Sequence, residues 1–258
     1  MFERIVVGVE ESPESLVAVR QATRLLARNG HLVLTTVAEA ALAVHAGWAA
    51  TGVLENIENE ARAALDAARV EAPGADTVLI DGVPADALLE TVRSRGADLV
   101  AVGTHGGSRA TGIVLGSVAT VMLHEAPCSV LIARPSKNGA RFPRSICVGV
   151  DGSGSSARAA EVARRLAQRF HAPLTKVAAC GGMKINLDDL WSIEPEAGLD
   201  HRPPVEALIE RAAEVDADLL VVGSRGVHGM AALGSVSERV AHRAGCSVLV
   251  VRENDPEG

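Results

Sequence analysis

Two parts of the sequence combine an acidic residue, glycines and a serine in the same order. In the first, Glu10 follows an apolar run, and a later apolar run ends in Gly103-Thr-His-Gly106. Nine residues then separate Gly106 from Gly116-Ser117. Glycines let the backbone approach an anion closely, and the free amides at a helix N-terminus favour anionic oxygens. A nearby carboxylate could accept hydrogen bonds from ribose hydroxyls. The spacing therefore indicates a site for a phosphorylated ligand.

The second part repeats this order with two changes. Asp151 stands where the first part has Glu10, and the glycine positions are filled by Gly223, Gly226 and Gly234-Ser235. Seven residues, instead of nine, separate Gly226 from Gly234. We expect the shorter loop to close less well over a polyphosphate. The first part is therefore predicted to be the better site, and the second to be weaker or vacant.

Each feature of this pattern also has a purely structural interpretation. An acid after a strand is often a helix-start residue, and a Gly-Ser pair often precedes a helix for capping alone. Ser117 could cap the helix that it opens and also offer its hydroxyl or amide to a phosphate. Chance explains a single arrangement of this kind more easily than two, each following an Ala-Asp-Leu strand.

The pattern occurs twice because the chain contains an internal repeat. Arg-Ile-Val-Val-Gly-Val-Glu at 4–10 matches 144–151, and Cys-Ser-Val-Leu at 128–131 matches 246–249. Gly8 aligns with Gly149, Gly103 with Gly223 and Cys128 with Cys246, so the offset falls from 141 to 120 and then to 118. The second repeat has thus lost about 21 residues from its middle and two from its glycine loop.

Short apolar runs alternate with helical stretches in the first repeat. We predict strands at 5–9, 32–37, 77–80, 99–103 and 129–133, and helices at 12–28, 53–68, 84–95 and 117–125. This alternation predicts an α/β fold with a parallel, doubly wound sheet and helices on both faces. In the second repeat, 178–203 is a broken stretch without a clear counterpart of the second helix, so this repeat is predicted to be reduced.

A connector rich in proline and glycine separates the two repeats. It spans 135–143 and has no apolar periodicity, which is typical of a linker. We therefore predict one domain at 1–134 and a second, shortened domain at 144–252.

The bulk composition excludes several classes of partner. The net charge is −7 without a basic stripe, and aromatic residues make up 2% of the chain. We therefore expect neither a nucleic-acid partner nor a membrane partner. The beginning of the chain has no export signal and the four cysteines have no C-x-x-C spacing, so a cytoplasmic location is expected. P-loop, G-x-S-x-G and H-E-x-x-H motifs are absent, so none of these motifs indicates a catalytic site.

The glycine pattern resembles the nucleotide motif of the ATP-binding universal stress proteins. Val-Gly-Val-Asp-Gly-Ser at 148–153 and Cys-Ser-Val-Leu-Val-Val-Arg at 246–252 are also similar to that family. The likeness covers nearly the whole chain in two passes, so the chain resembles a tandem member with two Rossmann-like (HUP-type) domains. The resemblance implies five-stranded sheets of order 3-2-1-4-5.

The same resemblance implies a ligand and its contacts. The ligand would be ATP, or ADP or AMP, and Mg²⁺ is allowed beside the phosphates. The backbone at the end of strand two, Val37 and its counterpart Val177, would meet the adenine edge. The ribose and phosphates would be held by Gly103, Gly106, Gly116, Ser117 and Val118.

Three functions compete at this point. The leading hypothesis is a nucleotide-binding regulatory or stress-response protein with no hydrolysis or very slow hydrolysis. The alternative is a tandem protein-interaction module of the same fold that binds no nucleotide. The third is an ATP-cleaving or adenylate-forming enzyme, disfavoured because none of the three lysines falls in a glycine loop. The resemblance also implies that the two repeats pack as an internal pseudo-dimer, and it allows a homodimer of whole chains.

Overall fold

The computed structural model describes residues 1–39, 51–104, 115–136, 141–181, 197–224 and 234–252. The chain divides into two compact units. The first unit is Phe2–Ala133, and the second is Arg134–Gly258 together with Met1. Arg134 belongs to the second unit, and its guanidinium donates hydrogen bonds to the carbonyls of Ala241 and Cys246 in that unit.

The first unit contains a parallel five-stranded sheet. Its strands are β1 (Phe2–Gly8), β2 (Leu26–Ala38), β3 (Asp76–Asp81), β4 (Leu99–Gly103) and β5 (Ser129–Ala133). They lie in the order β3-β2-β1-β4-β5, and each neighbouring pair is parallel. This confirms the predicted fold class and the strand order that the resemblance implied.

Four helices of the first unit lie within the described residues. They are α1 (Pro13–Leu25), α2 (Thr51–Glu71), α3 (Pro84–Ser94) and α4 (Ser117–Glu125). α1 begins where its N-cap Ser12 accepts a hydrogen bond from the Ser15 amide, with proline at the first helical position. The prediction that this helix reaches residue 28 is wrong. Leu26 has extended backbone angles and pairs with Phe2, so strand pairing overrides the helical pattern.

The second unit repeats the topology with shorter outer elements. Its strands are β6 (Ile146–Val150), β7 (Leu174–Ala179), β8 (Gly198–Asp200), β9 (Leu219–Gly223) and β10 (Ser247–Val251). Their order, β10-β9-β6-β7-β8, is equivalent to that of the first unit. The helices are α5 (Gly154–Phe170), α6 (Pro204–Glu214) and α7 (Ser235–Arg243). The predicted loss of the second helix concerns residues that are mostly outside the described ranges.

Both sheets are covered by aliphatic side chains, and the glycine of each Val-Gly-Val motif is part of that packing. A Cβ on Gly8 would lie 3.0 Å from Leu88 Cδ2 of α3, and one on Gly149 would lie 2.8 Å from Leu208 Cδ2 of α6. These glycines therefore let equivalent helices pack closely onto β1 and β6. Within the described ranges, no helix is long and apolar enough to cross a membrane.

Candidate functional site

Two predicted site residues of the first unit, Glu10 and Gly103, lie at the carboxyl edge of its sheet. β1 and β4 are neighbouring parallel strands, with Val7 paired to Ala101. Glu10, which follows β1, and Gly103, which ends β4, are therefore brought to the same edge. This is where open parallel sheets bind ligands.

The two ends of each glycine loop are joined by the same hydrogen bond. The Gly116 amide donates to the Thr104 carbonyl at 2.8 Å, and the Gly234 amide donates to the Ser224 carbonyl at 2.7 Å. The two-residue difference in loop length therefore falls between these closing bonds. Gly106 and Gly226 lie in that interval, outside the described residues.

The helix after each glycine loop begins without a side-chain cap. The N-cap of α4 is Gly116, and the N-cap of α7 is Gly234; neither end has a side-chain capping hydrogen bond. The prediction that Ser117 caps its helix is wrong, because Ser117 is the first helical residue and the capping position before it has no side chain. Backbone amides in the first turn of α4 can therefore donate to an anion. Val118 lies in the same turn.

Gly103 and Gly223 have a packing role that the sequence did not reveal. A Cβ on Gly103 would lie 3.1 Å from the backbone carbonyl carbon of Glu14, in the first turn of α1. A Cβ on Gly223 would collide with the backbone of Ser155 in α5. Each glycine thus allows a helix to cross the end of the strand that leads into the glycine loop.

The two acids at the crevice take part in equivalent turns. The Ser12 hydroxyl donates to Glu10 Oε1 at 3.0 Å, and the Ser153 amide donates to Asp151 Oδ1 at 3.0 Å. Ser12 and Ser153, rather than the acids, are the N-caps of α1 and α5. Partial burial raises the pKa of the Glu10 carboxyl, the hydrogen bond from Ser12 lowers it, and the charge of Glu14 raises it further.

Strand register changes one predicted equivalence. Gly8 pairs with Thr35, and Gly149 pairs with Val177. Val177 therefore corresponds to Thr35, and the residue equivalent to Val37 is Ala179. The prediction of Val177 as the counterpart of Val37 is wrong by two residues. The connection from β6 to β7, which is one residue longer than that from β1 to β2, accounts for one of the two.

The family model that describes the universal stress protein family matches residues 1–134 and 187–252. The chain belongs to this family. Universal stress protein Rv2623 of Mycobacterium tuberculosis is 32% identical over 97% of this chain and 96% of that protein. A universal stress protein of Mycolicibacterium smegmatis is 30% identical over 96% of both chains. These full-length matches show that the chain is a tandem universal stress protein.

A solved structure supports the same architecture. The crystal structure of a universal stress protein from Archaeoglobus fulgidus has a TM-score of 0.77, covering 98% of this chain and 97% of that one. Its sequence identity of 20% means that this likeness shows the fold alone.

The second repeat of this universal stress protein differs from the first where strands two and three of each repeat end. Val37 pairs with Ile80, and the equivalent Ala179 pairs with Asp200. Two residues further on, Gly82 of the first unit corresponds to Arg202 of the second. Gly82 has a φ of 151°, and a Cβ built on it would meet nothing within 4 Å.

Arg202 is held by three carboxylates. Its guanidinium pairs with Asp200 at 2.6 Å and with Glu214 at 3.5 Å, and it also contacts Glu210. The hydrogen bonds from Arg202 lower the pKa of Asp200 to about 2. The guanidinium is therefore engaged with the protein. In the sequence, the replacement of Gly82 by Arg202 can be seen when Gly82-Val-Pro84 is aligned with Arg202-Pro-Pro204.

Side chains at the ends of the two glycine loops differ as well. Glu238 places a carboxylate in the first turn of α7, where α4 has Thr120 and no acid. A negative side chain there competes with an anion for the amides of the helix end. Within the described residues, no group of three or more His, Cys, Asp and Glu side chains could hold a metal ion.

Proposed function

We propose that this universal stress protein binds an adenine nucleotide, ATP or the related ADP or AMP, at the carboxyl edge of its first unit. The observation that carries the proposal is the start of α4, where Gly116 leaves the first turn without a side-chain cap. The closing bond from Gly116 to Thr104 fixes this helix end beside the end of β4. Polyphosphate oxygens are suitable acceptors for such amides.

The remaining residues fit the other parts of a nucleotide. Glu10 would accept hydrogen bonds from the ribose hydroxyls, while the backbone of Val37 would meet the adenine edge. Ser117, Val118 and the two loop glycines, Gly103 and Gly106, would surround the phosphates, with Mg²⁺ beside them. Each assignment extends the family resemblance to the positions of this chain.

The geometry favours the first unit over the second as the nucleotide site. In the second unit, Arg202 replaces Gly82, and a Cβ on Gly181 would collide with the backbone of His201 and Arg202. The loop after β8 thus packs against the end of β7, where the adenine edge would lie. Glu238 adds a negative charge at the other end of the crevice. The contacts of Asp151, Gly223, Gly226, Gly234 and Ser235 with a nucleotide are therefore expected to be weak.

We propose regulation by binding, rather than turnover, as the role of the nucleotide. The three lysines, at 137, 176 and 184, are outside both glycine loops, so none is placed to stabilise a transferred phosphoryl group. The four cysteines form no disulfide, which supports the proposal of a cytoplasmic location. The pairing of the two repeats, and of whole chains, stays a prediction.

Calorimetric titration of the full chain with ATP tests the proposal. We expect saturable binding of one nucleotide per chain. Nucleotide released from the purified protein by denaturation would identify the resident ligand. No heat of binding at millimolar ATP, ADP or AMP, together with no released nucleotide, would favour the interaction module instead.

A further inference from the structure

A thiol and an imidazole are in contact at the carboxyl edge of the second unit. The Sγ atom of Cys180, which follows β7, lies 3.3 Å from Nδ1 of His201, which follows β8. The two residues are 21 positions apart in the sequence. They meet because β7 and β8 are neighbouring parallel strands, with Ala179 paired to Asp200.

Backbone contacts hold this pair in place. The Cys180 amide donates to the Asp200 carbonyl at 2.7 Å, and its Sγ lies 3.2 Å from the same oxygen. Gly181 packs against the backbone of His201 and Arg202 so closely that no Cβ would fit. The ion pair between Arg202 and Asp200 anchors the loop further. The position of the imidazole beside the thiol is thus set by the main chain.

The other three cysteines are in different surroundings. Cys128 and Cys147 are buried, whereas Cys180 is half-buried. Burial raises the pKa of Cys147 to about 12. Cys246 keeps some exposed surface, but burial raises the pKa of its thiol to about 11, and the charge of Arg134 only partly opposes this. The thiols of Cys147 and Cys246 therefore stay protonated at neutral pH, and a protonated thiol is a poor nucleophile. Cys128 is shielded by its burial.

The equivalent positions of the first unit hold no thiol and no imidazole. By strand register, Ala38 corresponds to Cys180 and Asp81 corresponds to His201. The thiol–imidazole contact is therefore not repeated at the equivalent positions of the first unit, and it lies where the loop after β8 distinguishes the second unit.

We infer that Cys180 is a modification site that exchanges with low-molecular-weight disulfides, with His201 accepting its proton. A nucleophile within hydrogen-bond reach of a base is the arrangement that activates thiols in proteins. The inference does not depend on the proposed nucleotide site, since its residues belong to the other unit.

The exchange balances without a further reactant. In the Nε2–H tautomer, His201 Nδ1 accepts the proton of Cys180 Sγ. The sulfur then forms a bond to one sulfur of the disulfide, and the disulfide bond breaks with its electron pair going to the other sulfur. The departing thiolate takes the proton back from the imidazolium. The products are a mixed disulfide at Cys180 and one free low-molecular-weight thiol.

The test uses the reduced full-length chain and the aromatic disulfide dithiobis-nitrobenzoic acid, whose thiol product absorbs visible light. We expect one fast-reacting equivalent per chain, located at Cys180 by peptide mass analysis. Cys180→Ser should remove the fast phase, while Cys246→Ser should keep it. A native protein without a fast phase, or a fast phase that survives Cys180→Ser, would overturn the inference.

A second variant tests whether the His201 imidazole activates the Cys180 thiol. His201→Gln should slow the fast phase about tenfold at neutral pH, with an unchanged melting temperature. The matched control is His242→Gln, which alters a histidine of α7 and should leave the rate as it is. An unchanged rate in His201→Gln would show that the imidazole does not activate this thiol and would contradict the assigned role.

Discussion

Asp98 fixes the start of β1 by accepting a hydrogen bond from the backbone amide of Arg4, with Oδ1 at 3.0 Å from the nitrogen. Its other oxygen accepts from the Glu3 amide at 2.7 Å. The second unit repeats this contact, since Asp218 accepts from the amides of Arg144 and Ser145. The Ala-Asp-Leu motif thus serves the amino edge of each sheet, opposite the edge where we place the ligand.

Removing this carboxylate should destabilise the first unit without affecting the ligand site. Asp98→Ala removes two hydrogen bonds from backbone amides to a charged carboxylate, and the free energy of unfolding should fall by about 1–3 kcal/mol. Urea unfolding followed by circular dichroism measures the change. Asp66→Ala, at an exposed position of α2, is the control and should leave the unfolding midpoint unchanged. Equal midpoints for Asp98→Ala and the native chain would contradict the structural role of this motif.

Gly116→Val should weaken ATP binding far more than Gly234→Val. Gly116 has a φ of −63°, so valine fits the backbone while its side chain crowds the helix end proposed to bind phosphate. We expect at least about a tenfold rise in Kd, equivalent to 1.4 kcal/mol, measured by calorimetry. Gly234→Val is the matched control in the second unit. Equal losses in the two variants would refute the asymmetry between the units.

ATP should raise the melting temperature of the full chain. A ligand that binds only the folded state stabilises it, by about 2.7 kcal/mol at a concentration one hundred times Kd. Differential scanning fluorimetry with ATP, ADP and AMP would rank the three nucleotides. The Gly116→Val variant should show a smaller shift at the same concentration. A melting curve that does not respond to millimolar nucleotide would argue for the interaction module.

Glu10→Gln should stabilise the folded protein at neutral pH and weaken nucleotide binding. Because the pKa of Glu10 is raised on folding, the folded state favours the protonated carboxyl, and the ionised form is destabilising above that pKa. Glutamine mimics the protonated form, so the melting temperature should rise slightly at pH 7. The difference in melting temperature between the variant and the native chain should vanish as the pH falls below the ordinary pKa of a glutamate. The Glu10 carboxyl of the native chain is then protonated as well.

Glu10→Gln should weaken the binding of ATP although it stabilises the folded protein. A neutral amide accepts hydrogen bonds from ribose hydroxyls less strongly than a carboxylate, so the Kd for ATP should rise. Glu10→Asp restores the residue that the second unit has at this position and should retain binding. A Glu10→Gln variant that binds ATP as tightly as the native chain would remove Glu10 from the proposed site.

Much of the fold could be predicted because its signals are local. The strands at 99–103 and 129–133 and the helix at 117–125 have the predicted bounds, since short apolar runs and a Gly-Ser start are read directly along the chain. The end of α1 cannot be predicted in this way, because Leu26 continues the helical pattern while pairing with Phe2. That pairing depends on a residue 24 positions away in the sequence.

The sequence alone determined the duplication, the parallel sheets and the glycine loops, because each is a pattern of neighbouring residues or a repeat of one. Only the tertiary structure decided that Ala179 corresponds to Val37, and that Arg202 replaces Gly82. It also decided that Cys180 lies against His201. These relationships depend on strand register and on packing between distant segments, which apolar periodicity does not encode.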